Sequence, residues 1–346
     1  MGKNLTFLKN VYRANARQLK SVAKLLFCLT FRCNLKCKIC SIWKMPLRSE
    51  LSVGEIERMF RKLPNLSWLD LTGGELTLRE DLIDVVRVII GQSKNLKILH
   101  MTTNGMFPDR MVKVAQEIIR LRQSPMISIS LDGPEGVHDQ LRGHQGSYAR
   151  GIETFKAVKR LKKGRVSISC TISALNFEYV EEFIVGLKKD LPGFTADDLH
   201  FNFYHVSGHY YGNQAMGAKG CEGVDLKHLR ASLRSFKKAF SFKGFLEDRY
   251  MRYLDKHWKG EKIPFVCQAL HGSVFVDAYG MVFPCLFYDR PIGKLSDNDY
   301  DIGRIIAHPE VQSLKKQIEN MDCPRCWAPC EAYPTIVGNL GAFIFG

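Results

Sequence analysis

The chain has 346 residues, 45% hydrophobic and 25% charged, the balance of a soluble globular protein. That length accommodates one large α/β domain with an appendage, or two ordinary domains. No apolar run reaches the roughly 18 residues of a membrane-spanning helix, and the basic N-terminus lacks the apolar core and cleavage site of a secretory signal, so the expected compartment is the cytoplasm.

The net charge is +15, with six positive charges and no negative one in the first 24 residues. A second basic block runs Lys156, Lys159, Arg160, Lys162, Lys163, Arg165. The excess suits an anionic partner such as RNA, a phosphorylated substrate or a membrane surface. A solvated, cationic surface accounts for it equally well.

Residues 5–24 read as an amphipathic helix. Leu5, Leu8, Tyr12 and Leu19 form an apolar stripe, and Lys9, Arg13, Arg17, Lys20 and Lys24 a basic one. Such a helix packs across the end of a domain or lies peripherally on an anionic membrane. Residues 1–21 are therefore set apart as a basic N-terminal segment. Strand-like runs follow at 24–30, 68–72, 96–102, 126–131, 166–172 and 199–206. Helical patterns fill the gaps: one after Ser52, whose partner Glu55 completes a capping box, then others near 80–92, 108–122, 147–163 and 178–189. Six strands alternating with five helices imply a parallel sheet. A full eight-fold barrel takes about 250 residues, and the alternation stops near residue 207. The expectation is a partial (βα)6 barrel of TIM type over residues 22–210. Residues 211–262 read as a polar loop or lid, with helical patterns near 225–241 and 245–257. From 263 to 346, short β-like runs, turns and cysteines suggest a small α+β domain stapled by metal.

Eleven cysteines are present. In a reducing compartment they are metal ligands or redox groups more often than disulfides. Cys28 and Cys170 sit in apolar strands and read as buried small hydrophobes. Cys33, Cys37 and Cys40 lie on one short loop after the first strand. Three thiolates can bind three irons of a [4Fe–4S] cluster and leave the fourth open, whereas electron-transfer clusters take four cysteines. Zinc competes, although a structural zinc site wants four ligands. Near the C-terminus stand Cys267, Gly280 and Cys285 with intervals of twelve and four residues, then Cys323, Cys326 and Cys330. A zinc ribbon or a second iron–sulfur site fits this set.

The C-x3-C-x2-C loop resembles that of the radical S-adenosylmethionine (SAM) superfamily, and the likeness extends over residues 22–207. Gly73-Gly74-Glu75 after strand two is similar to the family's GGE, which implies contacts to the methionine amino group of SAM. Thr103-Asn104-Gly105 follows strand three. Ser130 and Asp132 after strand four look like ribose- and carboxylate-contacting positions, Arg142 like the SAM-carboxylate arginine, and Asn176 is in place for a further polar contact. All fall at the C-terminal strand ends, where barrel enzymes gather reactive groups. Ile39 departs from the family's frequent aromatic residue before the third cysteine. The resemblance implies reductive cleavage of SAM to a 5′-deoxyadenosyl radical that abstracts a substrate hydrogen, with electrons from a flavodoxin- or ferredoxin-type donor. The C-terminal cysteines resemble the SPASM and twitch auxiliary domains and imply a second [4Fe–4S] cluster. Cys267 and Cys285 are its surer ligands, with Cys323 and Cys326 preferred to Cys330.

Substrate signals are sparse. Tyr204, His205, Ser207 and His209 follow the sixth strand, and Tyr204, His205 and His209 are the catalytic candidates. A peptide or small metabolite is the expected substrate. A membrane-associated lipid- or isoprenoid-modifying enzyme, using the N-terminal helix and the apolar tail 336–345, is the alternative. No RNA-binding module is recognisable. A non-catalytic electron-transfer protein is the reading from another class.

Overall fold

The computed structural model describes residues 3–16, 21–221, 223–229, 231, 242–261 and 263–339. Six parallel strands lie side by side in chain order: β1 (Lys24–Cys28), β2 (Trp68–Thr72), β3 (Ile98–Thr103), β4 (Pro125–Ser130), β5 (Arg165–Ile172) and β6 (Leu199–Phe203). Helices α2 (Val53–Arg61), α3 (Leu82–Gln92), α4 (Pro108–Arg120), α6 (Ser147–Lys159) and α7 (Val180–Asp190) occupy the crossovers. The capping box at α2 forms: Ser52 Oγ accepts from the Glu55 amide, and the Glu55 carboxylate accepts from the Ser52 amide at 2.9 Å. One crossover holds an extra helix, α5 (Glu135–Arg142). Its eight residues carry too few apolar positions to show a helical period.

The small C-terminal domain expected after residue 263 adds its strands to the same sheet. Strand β7 (Ser273–Val276) pairs in parallel with β1, Lys24 opposite Ser273 and Phe27 opposite Val276. Strands β8 (Met281–Phe283) and β9 (Gly293–Lys294) continue the same sheet antiparallel. The result is one nine-stranded sheet, ordered β6-β5-β4-β3-β2-β1-β7-β8-β9. Strand β1 is therefore central. It is buried along its whole length, as its unbroken apolar run Leu25–Cys28 requires.

Six strands leave a gap between β1 and β6. Two helices fill it: α8 (Phe242–Trp258) and, after α9 (Ile302–Ala307) and α10 (Pro309–Glu319), α11 (Pro329–Gly338). On the β6 side, His200 Nδ1 lies 2.7 Å from Glu247 of α8 and 3.0 Å from the Tyr333 hydroxyl of α11. On the β1 side, Lys24 Nζ donates to the Cys330 carbonyl, and the Glu331 carboxylate accepts from Ser273 Oγ at 2.8 Å. The region expected as linker or lid thus supplies a wall.

Helix α1 (Lys3–Asn15) is shorter than the expected 5–24. It packs against α11 with Val11 and Ala14 buried, and Asn10 Nδ2 donates to the Asn65 carbonyl at 2.9 Å. Leu5, Leu8 and Tyr12 are exposed, Leu8 at the mouth of the central cavity. Lys24 leaves the predicted basic stripe altogether, because it begins β1 and is buried. Residues 17–20, most of the predicted helix 225–241 and residues 340–346 of the apolar tail lie outside the described residues. Ile336, also assigned to that tail, is fully buried in α11. Among the described residues no helix is long and apolar enough to cross a membrane.

The barrel interior is hollow and crossed by a row of polar side chains, unlike the layers of Val, Ile and Leu that fill closed barrels. A chain of contacts crosses it: Lys24 Nζ is 3.3 Å from Asp70, Asp70 is 3.1 Å from His100 Nδ1, and His100 Nε2 is 2.8 Å from Ser128 Oγ. Burial pushes the Asp70 carboxyl up, but Lys24 and His100 outweigh it and hold it at about 2, below the ordinary 3.8. The ion pair therefore stabilises the fold above pH 4, and its contribution is lost as pH falls towards 2. Lys24→Met leaves Asp70 buried without its cation, so urea unfolding at pH 7 should show a loss of about 3–5 kcal/mol. Lys24→Met combined with Asp70→Asn should recover part of it. Equal losses in both variants would contradict the pairing.

Candidate functional site

The three-cysteine loop runs from the end of β1 over the open end of the barrel. It is fastened on three sides. Behind it, the Gly74 amide donates to the Thr30 carbonyl and the Glu75 amide to the Arg32 carbonyl, both at 2.8 Å. This approach explains the two glycines. A Cβ on Gly74 would lie 2.2 Å from the Arg32 carbonyl oxygen, and one on Gly73 2.4 Å from that of Thr30. Beside the loop, Asn104 Nδ2 donates to Asn34 Oδ1 at 2.8 Å. In front, the Lys36 and Lys38 amides donate to the carbonyls of Arg142 and Leu141 at the end of α5.

Cys33, Cys37 and Cys40 all line one cavity of about 1210 Å³. It exceeds the roughly 300–1,000 Å³ usual for a small-molecule site, which leaves room for SAM beside a second molecule. It reaches from Cys33 and Arg142 at the C-terminal strand ends to Trp68 and Phe7 at the other end. Burial pushes the Cys33 thiol up to about 11 and the Cys40 thiol to about 12. Such groups ionise at neutral pH only when a metal replaces the proton. Arg142 provides the compensating cation: its Nη1 is 3.8 Å from Cys37 Sγ, and its Nη2 is 2.7 Å from Asp132. Three half-buried thiols, an adjacent guanidinium and open space beside them fit a cluster with one iron free.

The expected SAM contacts divide into two groups. Gly73, Gly74, Asn104, Ser130 and Arg142 are on the cavity wall. Glu75, Asp132 and Asn176 are not; each is at most 1% exposed and spent on its own chain. Glu75 accepts from the Thr77 amide and hydroxyl, the Thr103 hydroxyl and the Asn104 amide. Asp132 accepts from the Thr171 amide at 2.9 Å and pairs with Arg142. Asn176 Nδ2 donates to the carbonyls of Asp132 and Thr171, and its Oδ1 accepts from the Ser173 amide. These three differ from the direct contacts expected of them, because a buried polar group takes its partners from its nearest backbone.

Among the catalytic candidates, Tyr204 and His205 line the cavity. The Tyr204 hydroxyl has no hydrogen-bond partner among the described residues. His205 Nδ1 lies 2.8 Å from the Phe203 carbonyl, so that nitrogen carries the proton. Burial drops the imidazole to about 4, which leaves it neutral at pH 7 with Nε2 as an acceptor. His209 is placed elsewhere. It stacks on Phe283 and pairs with Asp289, which also accepts the Gly208 amide at 2.7 Å. The stretch 207–213 is tied to its surroundings. Ser207 Oγ donates to the Leu286 carbonyl, and Asn213 Nδ2 to those of Ile39 and His205. Tyr210 and Tyr211, missed by sequence reasoning, also line the cavity. The Tyr210 hydroxyl is 2.5 Å from Thr72 Oγ1, and the Tyr211 carbonyl accepts from the Ser41 amide at 2.7 Å. Their adjacency in a Gly-rich stretch was the available signal.

The radical SAM superfamily model matches residues 27–185, and the SPASM iron–sulfur cluster-binding domain matches residues 267–327. The chain carries a radical SAM domain and a SPASM domain. Its cofactors are SAM, the [4Fe–4S] cluster that binds it, and auxiliary iron–sulfur. The chain is 24% identical over 298 residues to the antilisterial bacteriocin subtilosin biosynthesis protein AlbA of Bacillus subtilis, covering 83% of this chain and 60% of AlbA. It is 25% identical over 306 residues to the sporulation killing factor maturation protein SkfB of the same species, covering 85% of this chain and 67% of SkfB. The fold is similar to that of Streptococcus suis SuiB bound to S-adenosylmethionine, with a TM-score of 0.61, 14% identity and coverage of 97% of this chain and 77% of SuiB.

Gly74→Ala tests the fastening of the loop. The added methyl displaces the Arg32 carbonyl and with it Cys33. Iron in anaerobically reconstituted protein should fall from about eight to about four per chain. Unchanged iron with unchanged SAM affinity would contradict the tight approach.

Proposed function

We propose that the chain is a radical SAM enzyme that modifies a peptide. The observation that carries the reading is the single cavity bounded by the three fastened cysteines and Arg142 at one side and by Tyr204 and His205 at another. The peptide assignment rests on the relatives: AlbA and SkfB are named for the biosynthesis of a bacteriocin and the maturation of a killing factor, and a SuiB structure holds the precursor peptide SuiA. The chain spans 60% of AlbA and 67% of SkfB.

In this reading Cys33, Cys37 and Cys40 ligate three irons. A [4Fe–4S] cluster held there would supply the one-electron chemistry for reductive cleavage of SAM and hydrogen abstraction from the substrate. The chain's own residues do the positioning. Arg142 offsets thiolate charge, and Asp132 holds Arg142 in one orientation. Gly73 and Gly74 keep the loop against the barrel rim, while Ser130 and Asn104 offer polar contacts to SAM. The neutral His205 accepts a proton and the Tyr204 hydroxyl donates a hydrogen bond. The partner supplying electrons is a low-potential flavodoxin- or ferredoxin-type protein.

The test is SAM cleavage under anaerobic reduction. Reconstituted protein with dithionite should release 5′-deoxyadenosine and methionine in equal amounts, and Cys37→Ala should abolish both. Wild-type release no greater than that of the variant would refute the enzyme reading.

A further inference from the structure

The hollow of the barrel also opens at the end opposite the three-cysteine loop. Trp68, Ile98 and Arg165, which begin β2, β3 and β5, line the central cavity together with Phe7 and Leu8 of α1. Reactive groups of a barrel gather at the other, C-terminal face, so this second mouth has no part in holding the cluster or SAM. The C-terminal face is occupied by the cysteine loop, by the stretch 207–213 tied to it from Asn213 to Ile39, and by the space beside Cys33 and Arg142 that suits SAM. Helices α8 and α11 wall the side. The N-terminal mouth is the entrance left for a second molecule.

Its rim is charged. The turn from α6 to β5 places Lys159, Lys162, Lys163 and Arg165 on the cavity lining, where Asp197 and Asp198 also stand. Lys159 belongs to the last turn of α6, where a cation suits the helix dipole, and Asp198 neutralises it at 2.7 Å. Lys162, Lys163 and Arg165 lie beyond the helix and are exposed. None of the three makes an ion pair or a side-chain hydrogen bond among the described residues. The turn that carries them is held in place. Lys162 has a φ of 54°, a backbone shape that favours glycine, and a Cβ on Gly164 would lie 2.4 Å from the Pro125 carbonyl oxygen. Inside the rim stand Phe7 and Trp68, their ring centroids 6.1 Å apart, and deeper still Asp70, His100 and Ser128. An entering chain meets cations first, then aromatic rings, then the polar row.

We infer that the N-terminal mouth recognises an acidic segment of the peptide substrate, Lys162, Lys163 and Arg165 pairing with its carboxylates while a neighbouring residue enters the barrel. This recognition rests on the peptide reading and gives that peptide a chemical class. Exposed rim charges select and orient a partner more than they tighten its binding, so the mouth discriminates acidic from neutral peptides. A nucleic acid carries the same sign of charge, but its strand is met by a basic groove that tracks the backbone, whereas these three cations surround an opening that leads inward.

The test uses the full chain as reconstituted holoprotein and a fluorescein-labelled hexaglutamate peptide, read by fluorescence anisotropy at about 50 mM salt. Wild-type protein should bind it about tenfold more tightly than labelled hexaglutamine, and about 500 mM salt should remove most of the difference. Lys162→Glu, Lys163→Glu and Arg165→Glu together should abolish the preference, and Lys162→Gln, Lys163→Gln and Arg165→Gln together should reduce it. Lys113→Glu, Lys189→Glu and Lys294→Glu, exposed and off the cavity, change the net charge as much as the first set and should leave the preference in place. Iron content and melting temperature report that each variant is folded. Equal binding of the two peptides by wild-type protein, or equal losses in the rim and control variants, overturns the assignment. So does an RNA oligonucleotide of equal charge that binds more tightly than hexaglutamate and is lost in the rim variants. Wild-type protein that shows the preference yet releases no 5′-deoxyadenosine refutes only the enzyme reading, and release without the preference refutes only the acidic-peptide mouth.

Discussion

The buried carboxylate of Glu75 is the fixed point of the site. A charge taken out of water must be surrounded by donors, and four donors from two strand ends converge on this one. The ends of β2 and β3 are thereby locked together. Asn104, held through its amide, extends its side chain to Asn34 within the cysteine loop. The backbone of Gly74 and Glu75 grips Thr30 and Arg32 at the start of the same loop. Three thiols are thus presented to one cavity by a scaffold already paired before any metal arrives, which is the preorganisation such a centre needs.

The second organising feature is the gap in the barrel. Six strands cannot close the ring, so β1 and β6 each present an edge. The C-terminal segment answers both edges: β7 pairs along β1, while α8 and α11 seal the space facing β6. This placement puts the auxiliary cysteines against the barrel. It also accounts for the buried Lys24, whose ammonium meets Asp70 on one side and the Cys330 carbonyl on the other. The polar interior follows. Asp70, His100, Ser128 and Asn202 project where a packed barrel would carry branched aliphatic side chains.

Sequence reasoning reached the parts of this arrangement that have a local signature. The six strands stand within three residues of their predicted ends, because alternation between strand and helix periods is a property of short windows. The spacing of Cys33, Cys37 and Cys40 and the pair Gly73-Gly74 were legible for the same reason. What was missed depends on distant partners. Nothing near Glu75 or Asn176 in the sequence reveals that their side chains are consumed by Thr103 or Asp132. His209 looked like a catalytic histidine until Asp289, eighty residues on, claimed it. Residues 263–339 carried the pattern of a small C-terminal domain, and only the register of β7 on β1 shows that its strands extend the barrel sheet. Helix α5 was too short for its period to emerge, although it carries Arg142.

The central claim is that a four-iron centre held by Cys33, Cys37 and Cys40 faces the barrel cavity. Anomalous diffraction at the iron edge from anaerobically grown crystals of the reconstituted protein measures this directly. The account predicts an iron peak beside Arg142 with three cysteine contacts, present above the iron edge and lost below it. No peak at that place, or a peak there that disappears on going from above to below the zinc edge, would contradict it.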